Sequence, residues 1–337
     1  MGLEPAQARK GDEDDTFSGV VGIDVSSGKL DAHVHGHDQS RQVTNDASGH
    51  RELVAWARAK RATTAVMEAS GGYERDLARA LRRAEFAVYV VDPKRVRHYA
   101  KAVGQLAKTD RIDARIIAEY GTTVLAAGRL ALPRPDDPQR DRLSALLGAR
   151  AALIEHRDAL QQQSAAMPAG LARQALKDAH ASMKLRIKQL ERQIGALIAE
   201  HAAFAALARR LDTVPGLGPV AIAALIAWLP ELGYAGRARI SALVGVAPVA
   251  DDSGDREGKR HIAGGRKKLR NVLYMPVVAA IRCNPVLAAY YKRLLACGKE
   301  PKVALVACMR KLLVIVTAMI TNQQDWAPHS GAQTAAA

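Results

Sequence analysis

Four carboxylates are spaced so that they could bind divalent metal ions. Asp24 lies within the apolar, β-branched run VVGIDVSSGKL, and Glu68 ends a second such run, TTAVM. Asp110 and Asp113, within LAKTDRIDARII, are three residues apart and would share one face of a helix. An ionised aspartate inside a buried strand is costly unless a cation or a hydrogen-bond network compensates it. Carboxylate oxygens suit Mg²⁺ or Mn²⁺, and two such ions can stabilise the attacking and leaving oxygens of a phosphodiester displacement.

Each acid also has a simpler interpretation. Glu68, at a strand end, could be solvated, and Asp110 and Asp113 could form a solvated helix face with neighbouring arginines. Asp92, in VVDPKR, is a rival strand-end acid, but an aspartate that begins a turn before Pro93 explains it. The occurrence of all four acids in the order strand, strand, helix favours a metal site.

Composition and charge favour a nucleic-acid partner. The chain has 337 residues, enough for two domains, with a formal net charge of +15 and a pI near 9.9. Such a chain is expected to bind a polyanion, because each lysine or arginine at a phosphate releases condensed counterions. Aromatic residues make up only 4% of the chain, which favours binding to the backbone over base stacking.

Cysteine usage and hydropathy exclude other classes of protein. The three cysteines form no CxxC pair, so neither a zinc site nor a disulfide framework is expected. This cysteine usage indicates a reducing compartment. Residues 1–17 are polar and acidic, which predicts a disordered leader and no signal peptide. The apolar stretch 303–320 carries Arg310 and Lys311 in its middle, which predicts a core helix and no membrane span.

Residues 18–132 have the pattern of a mixed α/β domain. The runs VVGIDVSS, KLDAHVHG and RQVTN predict three strands joined by turns. A helix over about 49–60, the strand TTAVMEA, the helix YERDLARALRRA, the strand FAVYVVD and a helix beginning near Pro93 are expected to follow. Three hairpin-like strands followed by alternating helices and strands are typical of the RNase H-like nuclease fold, and the acids fall where that fold collects its metal ligands.

Residues 133–210 are predicted to be helical. The segment is rich in Ala, Leu, Gln and Arg, and Pro168 is expected to divide it into two long helices. An apolar stripe with polar flanks comprises Leu185, Leu190, Ile194, Leu197 and Ile198. This pattern fits an antiparallel helical hairpin and a coiled-coil dimerisation arm equally well.

Residues 211–324 are predicted to form a second, mostly helical domain, with a flexible tail over 325–337. It opens with LDTVPGLGPVAIAALIAWL, in which Gly216 and Gly218 form a Gly-x-Gly turn between a short helix and an apolar one. Such a helix-hairpin-helix-like element can hold a phosphate on its turn amides and helix N-terminus without reading sequence. A plain turn between packed helices is the alternative.

A serine in a polar segment is the second candidate reactive group. The segment APVADDSGDREGK predicts a loop, and composition alone would make Ser253 an ordinary turn serine. Its hydroxyl would need a base or a metal to attack phosphate, and Asp252, Asp255 and His261 are the nearest helpers. The basic side chains that follow are expected to hold nucleic-acid backbone; they are Lys259, Arg260, Arg266, Lys267, Lys268 and Arg270.

Together these motifs resemble the DEDD-type insertion-sequence transposases. Asp24, Glu68 and KTDRIDAR are followed by a helical middle, then PGLGP, GVAP and DDSG before HIAGGRKKLRNVLY, in the family's order from about Gly19 to Ile320. The family comprises the bridge-RNA-guided serine recombinases of bacterial mobile elements and is related to Piv-type DNA invertases.

The resemblance implies roles that the residues alone do not show. The four acids would form a RuvC-like site for Mg²⁺ (or Mn²⁺), and Ser253 would form a transient phosphoserine link to DNA. A noncoding guide (bridge) RNA would pair with donor and target DNA. The chain would assemble as a dimer or tetramer in the bacterial cytoplasm, with no membrane association. The implied architecture is an N-terminal RuvC-like DEDD domain, a helical coiled-coil middle and a mostly α-helical C-terminal transposase domain that carries the serine.

Other functions fit parts of the pattern. A metal-dependent nuclease or Holliday-junction resolvase needs only the four acids and forms no covalent intermediate. A sugar-kinase or actin-like ATPase begins with a similar strand, but it needs a second glycine-rich loop, for which EASGGYE and HIAGGRK are poor fits. A non-catalytic binding protein leaves the buried acids unexplained, and a tyrosine recombinase would place its nucleophile, Tyr274, in an apolar helical run.

Overall fold

A computed structural model of the chain describes residues 19–105, 110–128, 137–249, 258 and 260–328, without the side chains of residues 110–112. The chain divides into two compact units, residues 1–136 and 137–337. The predicted boundary at 132/133 lies a few residues from this division, and the predicted helical middle clusters with the C-terminal part in one unit.

A five-stranded mixed sheet forms the centre of the first unit. Its strand order is β3-β2-β1-β4-β5, in which β1, β2 and β3 form an antiparallel meander and β1, β4 and β5 run parallel. This order confirms the prediction of three hairpin strands followed by alternating helices and strands. The strands are β1 (Val20–Val25), β2 (Lys29–Val34), β3 (Ser40–Thr44), β4 (Thr64–Glu68) and β5 (Ala87–Val91).

Helices cover both faces of this sheet. On one face α1 and α2 pack Leu53 and Leu77 against Ile23 and Met67. On the other face α3 and α4 pack against the sheet through a separate apolar cluster that includes Ile117. Buried faces on both sides explain the β-branched, nearly continuous apolar runs of β1 and β4. The helices are α1 (Ala47–Ala59), α2 (Arg75–Arg83), α3 (Pro93–Ala102) and α4 (Asp110–Ala126).

The second unit is almost entirely helical. Its first two helices, α5 and α6, pack against each other as a long hairpin, and the break between them contains Pro168, as predicted. Helices α5, α6, α7 and α10 pack against α8, of which the stretch 221–227 is wholly buried. The elements are α5 (Pro138–Ala166), α6 (Leu171–Glu200), α7 (Ala202–Asp212), α8 (Pro219–Trp228), α9 (Arg237–Val244), β6 (Pro248–Val249), β7 (His261–Ile262), α10 (Lys267–Cys283), α11 (Pro285–Ala296) and α12 (Pro301–Thr321).

Helix α12 is long and apolar, with a mean hydropathy of 2.2 over its best window. Within the described residues it is the single helix that is long and apolar enough to cross a membrane, and the pair α10–α11, bent by 94°, passes the same test as one broken span. Of the α12 window, 56% is buried inside the protein. Leu312 and Leu313 lie in the main core cluster, as expected of the predicted core helix.

Candidate active site and nucleic-acid interface

Asp24 and Glu68 lie next to each other at one edge of the sheet. Strands β1 and β4 are parallel, and Ile23 pairs with Met67, so the next residue of each strand is one of the two acids. Side chains two apart along a strand point to the same face, so Glu68 shares the face of Val66, which packs with α3 and α4. Both acids are half-buried. The sheet therefore brings two of the four predicted acids together.

Helix α4 crosses this face with its first turn directed toward the two acids. A Cβ on Gly22 would clash with the backbone of Ala114, and a Cβ on Gly121 would lie 3.1 Å from Cγ1 of Val20. The helix therefore runs antiparallel to β1, and its N-terminus lies toward Asp24. The glycines at these two positions permit the helix to sit directly on the strand.

The remaining two predicted acids belong to this first turn. Asp113 is half-buried and immediately precedes the residue that packs on β1. Asp110 begins α4, but its side chain lies outside the described residues. Among the described side chains, no three of the His, Cys, Asp and Glu residues are grouped closely enough to hold a metal ion. The donor set nevertheless fits Mg²⁺ or Mn²⁺ by its chemistry, because it consists of carboxylate oxygens only.

A buried acid, Asp31, was missed by the sequence reasoning. It pairs directly with Asp24 across β1 and β2, and it is only 3% exposed. Gln42 Nε2 donates a hydrogen bond to its Oδ1 at 2.8 Å, and Lys29 Nζ lies 3.8 Å from its Oδ2. Two like charges directly opposite on neighbouring strands are destabilising, so a cation near this edge would relieve their repulsion. The alternation of Lys, Asp and His along β2 does not by itself show that α4 packs over this face.

The same face holds a histidine whose pKa is lowered. Burial, and next the positive charge of Arg115 on α4, lower the pKa of His33 below its ordinary value. His33 Nδ1 lies 3.1 Å from the Ser40 hydroxyl. The shift disfavours a positive charge on this imidazole.

The loop after β4 is held by its own carboxylate. Glu74 Oε2 accepts hydrogen bonds from the Ser70 amide at 3.1 Å, the Ser70 hydroxyl at 2.9 Å and the Gly72 amide at 2.9 Å. Burial raises the pKa of Glu74, but these hydrogen bonds outweigh it, so the pKa lies below its ordinary value. The two amides of EASGGYE thus serve a protein carboxylate, which argues against the phosphate loop that an ATPase would need.

Asp92 has the structural role expected of it. It is the N-cap of α3, its Oδ1 accepts a hydrogen bond from the Lys94 amide at 2.9 Å, and Pro93 opens the helix. A cap of this kind needs no metal to explain it.

Two of the predicted phosphate-binding cations are used inside the second unit. Arg266 forms a two-pronged ion pair with the buried Glu231, at 2.5 and 2.6 Å, and also donates to the carbonyl of Trp228. Arg270 Nη1 donates to the carbonyls of Val244, Gly245 and Gly264, which closes the end of α9. Composition had counted both residues as available cations. Their partners come from other parts of the chain, so both side chains have structural roles that composition did not show.

The structure describes some of the other predicted nucleic-acid contacts and not others. Lys267 and Lys268 are exposed at the start of α10, and Arg260 is exposed beside β7. Ser253, Asp252, Asp255 and Lys259 lie outside the described residues.

The Gly-x-Gly turn joins α7 and α8, as the helix-hairpin-helix reading requires. Gly216 has a φ of +97°, and a Cβ there would lie 2.7 Å from Cα of Ala280 on α10. Packing against α10 therefore requires this glycine. Gly218 is the N-cap of α8, with open space around the position of a Cβ. Of the two, Gly218 is the one whose surroundings leave room for a ligand.

Comparison with known proteins gives two family matches, one after the other along the chain. A model of the IS110-type DEDD domain, described as "Transposase", matches residues 21–167. A second model, described as "Transposase IS116/IS110/IS902 family", matches residues 208–292. Together the two models span more than half of the chain; the first extends from the first unit into α5, and the second lies within the second unit. The chain belongs to the IS110-type transposases. Members of this family catalyse DNA strand cleavage and exchange, and their DEDD domain implies dependence on a divalent metal ion.

Individual relatives of this transposase agree with the family matches. The "Pilin gene-inverting protein" of Moraxella bovis is 29% identical over 319 residues, which cover 91% of this chain and 97% of the relative. The protein of the same name from Moraxella lacunata matches to the same extent. The "Insertion element IS116 uncharacterized 44.8 kDa protein" of Streptomyces clavuligerus is 29% identical over 120 residues, which cover 35% of this chain and 30% of the relative.

Proposed function

We propose that this transposase is an RNA-guided recombinase that cleaves and exchanges DNA strands with a RuvC-like metal site and a serine nucleophile. The observation that carries the metal site is the convergence of Asp24, Glu68 and the first turn of α4 at one sheet edge. The strand order β3-β2-β1-β4-β5, with its antiparallel and parallel halves, supports the RuvC-like fold. The serine is supported by its position between the two strands of the β6–β7 ribbon in a chain of this family.

Four acids would hold the metal ions; they are Asp24, Glu68, Asp110 and Asp113. Bound Mg²⁺ (or Mn²⁺) would supply charge stabilisation to the reacting phosphate oxygens. The protein's own contribution is to fix the carboxylates on a rigid sheet and helix, because pre-organised charges need not reorganise during the reaction. Asp31, buried opposite Asp24, would add negative charge behind this site.

The covalent step assigned to Ser253 conserves the phosphodiester bond energy. The serine Oγ loses its proton to a base and attacks phosphorus, a Ser–O–P bond forms, and one P–O bond of the DNA strand breaks. The departing oxygen takes up a proton and becomes the free strand end. In the reverse step, the hydroxyl of another strand end attacks the phosphoserine and releases the serine. No nucleotide cofactor is needed to rejoin the strands.

Covalent capture on a nicked suicide substrate tests the serine assignment. The wild-type protein with Mg²⁺ should yield a protein–DNA adduct, which digestion and mass spectrometry place on Ser253. Ser253→Ala should form none and should lose strand exchange. Ser241→Ala is the matched control, because the Ser241 hydroxyl is buried and donates to the Arg237 carbonyl at 2.9 Å. An adduct on Tyr274, or strand exchange by Ser253→Ala, would contradict the mechanism. Metal-dependent cleavage without any adduct would favour a RuvC-like nuclease or junction resolvase.

RNA guidance and assembly rest on the family resemblance. RNA that co-purifies with the protein should be one discrete species with segments complementary to donor and target DNA. A random population of host RNA would contradict guidance.

The long hairpin of α5 and α6 leaves Leu171 and Leu185 exposed, which supports its use as an arm between subunits. A dimer or tetramer is expected by light scattering, and a monomer at all concentrations would contradict this.

A further inference from the structure

The second unit contains a large groove next to the segment that carries Ser253. Its volume is about 1310 Å³, and its walls come from α9, the β6–β7 ribbon, the turn between α11 and α12 and the exposed side of α12. Pockets for small ligands rarely exceed about 1000 Å³, so this groove has the size of a channel for a polymer. The roles proposed for the serine and the metal site do not explain why the second unit has this groove.

One face of α12 lines the groove at helical spacing. The lining positions recur every three or four residues along the helix; they are Val303, Val306, Ala307, Arg310, Lys311 and Val314. The opposite face, with Leu312 and Leu313, is buried in the core. The two cations that interrupt an otherwise apolar helix are therefore directed into the groove. Packing of the core does not explain them.

Positive charge from other elements is added to these two cations. Arg237 enters from α9, Arg260 from beside β7, and Lys299 and Lys302 from the turn that begins α12. Among the described lining residues there are six lysines and arginines, and Glu300 is the single acid. Side chains from four separate elements thus give the groove the sign that a phosphodiester backbone requires.

The groove also adjoins the candidate nucleophile along the chain. Ser253 follows Pro248 by five residues and precedes Gly258 by five, and both of these residues line the groove. Two described walls of the groove therefore flank the candidate nucleophile along the chain.

We propose that this groove holds the phosphate backbone of the DNA strand that is cleaved, with Arg310 and Lys311 as its central phosphate contacts. The proposal rests on the function proposed above for its choice of DNA. It adds a binding surface outside the basic segment 259–270. The apolar stretch of α12 between the cations and Val303 would contact sugars and bases without reading sequence.

Salt dependence of DNA binding tests this proposal without any chemistry. In the Arg310→Gln/Lys311→Gln protein, the slope of log affinity against log salt should become shallower by roughly 1.8, about 0.9 for each lost duplex phosphate contact. Between about 50 and 200 mM salt, the wild-type affinity should then fall about ten-fold further than that of the variant. Glutamine is nearly as good a helix former as arginine or lysine, so α12 should stay intact. The probe is a short labelled DNA duplex bound by the full-length protein.

The matched control removes two cations elsewhere in the same unit. Lys184→Gln/Lys188→Gln on α6 makes the same change in net charge at two exposed positions and should leave the slope unchanged. A second variant, Val303→Glu, puts a carboxylate on the groove wall at a position that is 54% exposed, where folding should be unaffected. It should also weaken DNA binding.

Three results would overturn the proposal. The first is a salt slope of DNA binding that is the same in the Arg310→Gln/Lys311→Gln protein and in the α6 control. That result would fit a groove that binds the chain's own acidic segment 250–257 or another protein instead of DNA. The second is unchanged binding by Val303→Glu. The third is a change seen with single-stranded RNA of the same length and not with DNA.

The Ser253→Ala protein separates this proposal from the serine mechanism. It should bind DNA with the wild-type salt slope, because it keeps every groove cation. If covalent capture fails while the Arg310→Gln/Lys311→Gln protein shows the shallower salt slope, the groove assignment stands and the serine mechanism is wrong. If capture succeeds while the salt slope of that variant is unchanged, the serine mechanism stands and the groove assignment is wrong.

Discussion

In the first unit, charged side chains converge on one covered face of a sheet, whereas in the second unit cations from several helices line an open groove. The acids of the first unit are fixed by strand register and by a helix that packs directly on Gly22. The groove cations are long, flexible side chains, several of them exposed. Metal chemistry needs ligands placed within tenths of an ångström, but backbone binding needs only charge of the right sign at the right place. The first unit should therefore be sensitive to small changes that the second tolerates.

The largest effect is expected from Asp24→Asn. The amide removes one negative charge from the acid edge with little change of shape, so strand exchange should fall by at least about 1000-fold. The fold should persist, and thermal stability in the absence of metal should rise slightly, because fewer carboxylates repel one another. Strand exchange in Mg²⁺ and thermal melting measure the two effects.

Asp92→Asn is the matched control for that change. Asp92 also ends a strand region, but it caps α3, and asparagine caps a helix about as well as aspartate. Its activity should therefore stay near that of the wild type. Full activity of Asp24→Asn in Mg²⁺ would refute the metal site and, with it, the contrast between the two units.

Gly22→Ala tests how rigid the first unit is. The added methyl group would collide with the backbone of α4, which cannot rotate away as a side chain can, so unfolding should become easier by about 3 kcal/mol. Gly148→Ala, on α5 of the second unit, is the counterpart. A Cβ there meets nothing within 4 Å, and alanine should stabilise the helix by about 0.5–1 kcal/mol. Urea unfolding of both proteins should show changes of opposite sign, and similar costs would contradict the contrast.

The same two regions show what the sequence could predict. Apolar, β-branched runs identified β1 and β4, and the i, i+3 spacing placed Asp110 and Asp113 on a helix, because these signals are local. Asp31 was missed because alternation along β2 does not reveal that a helix more than seventy residues later covers its polar face.

The structural role of Arg266 was missed for a related reason, since its partner Glu231 lies in a separate part of the chain, between α8 and α9. The groove depends even more on residues that are distant in sequence. Composition showed that Arg310 and Lys311 do not suit a membrane span, but the surface they face is formed by α9 and the β6–β7 ribbon. The strand-end acids are visible in a local sequence pattern, whereas a surface made by distant elements is not.

A smaller effect is expected from Asp31→Asn. The variant keeps an oxygen that can accept from Gln42 Nε2, so the strands should stay paired, but it removes the charge opposite Asp24. Activity should fall about ten-fold, as is common for residues behind metal ligands. The concentration of Mg²⁺ needed for half-maximal strand exchange should rise. A purely structural role would instead lower the melting temperature and leave the Mg²⁺ requirement unchanged.

The smallest effect is an acid sensitivity confined to the first unit. His50 on α1 is 6% exposed, and its Nε2 lies 2.8 Å from Oδ1 of Asn45. Burial lowers its pKa below the ordinary value of 6.5, although the charges of Asp76 and Asp46 partly oppose this. The folded state therefore binds fewer protons than the unfolded state once the pH falls below 6.5. The stability that the neutral imidazole provides is fully present above that pH and is lost as the pH falls through the folded pKa.

Hydrogen exchange of α1 should report this loss directly. The protection of the amides of residues 47–59, relative to their intrinsic exchange rates at each pH, should fall between pH 7 and pH 5, and His50→Gln should reduce that fall. Glutamine keeps a donor for Asn45 but does not titrate in this range. Some loss of protection should remain in the variant, because the pKa of His33 is shifted in the same direction. An equal loss of protection in both proteins would contradict the assignment to His50.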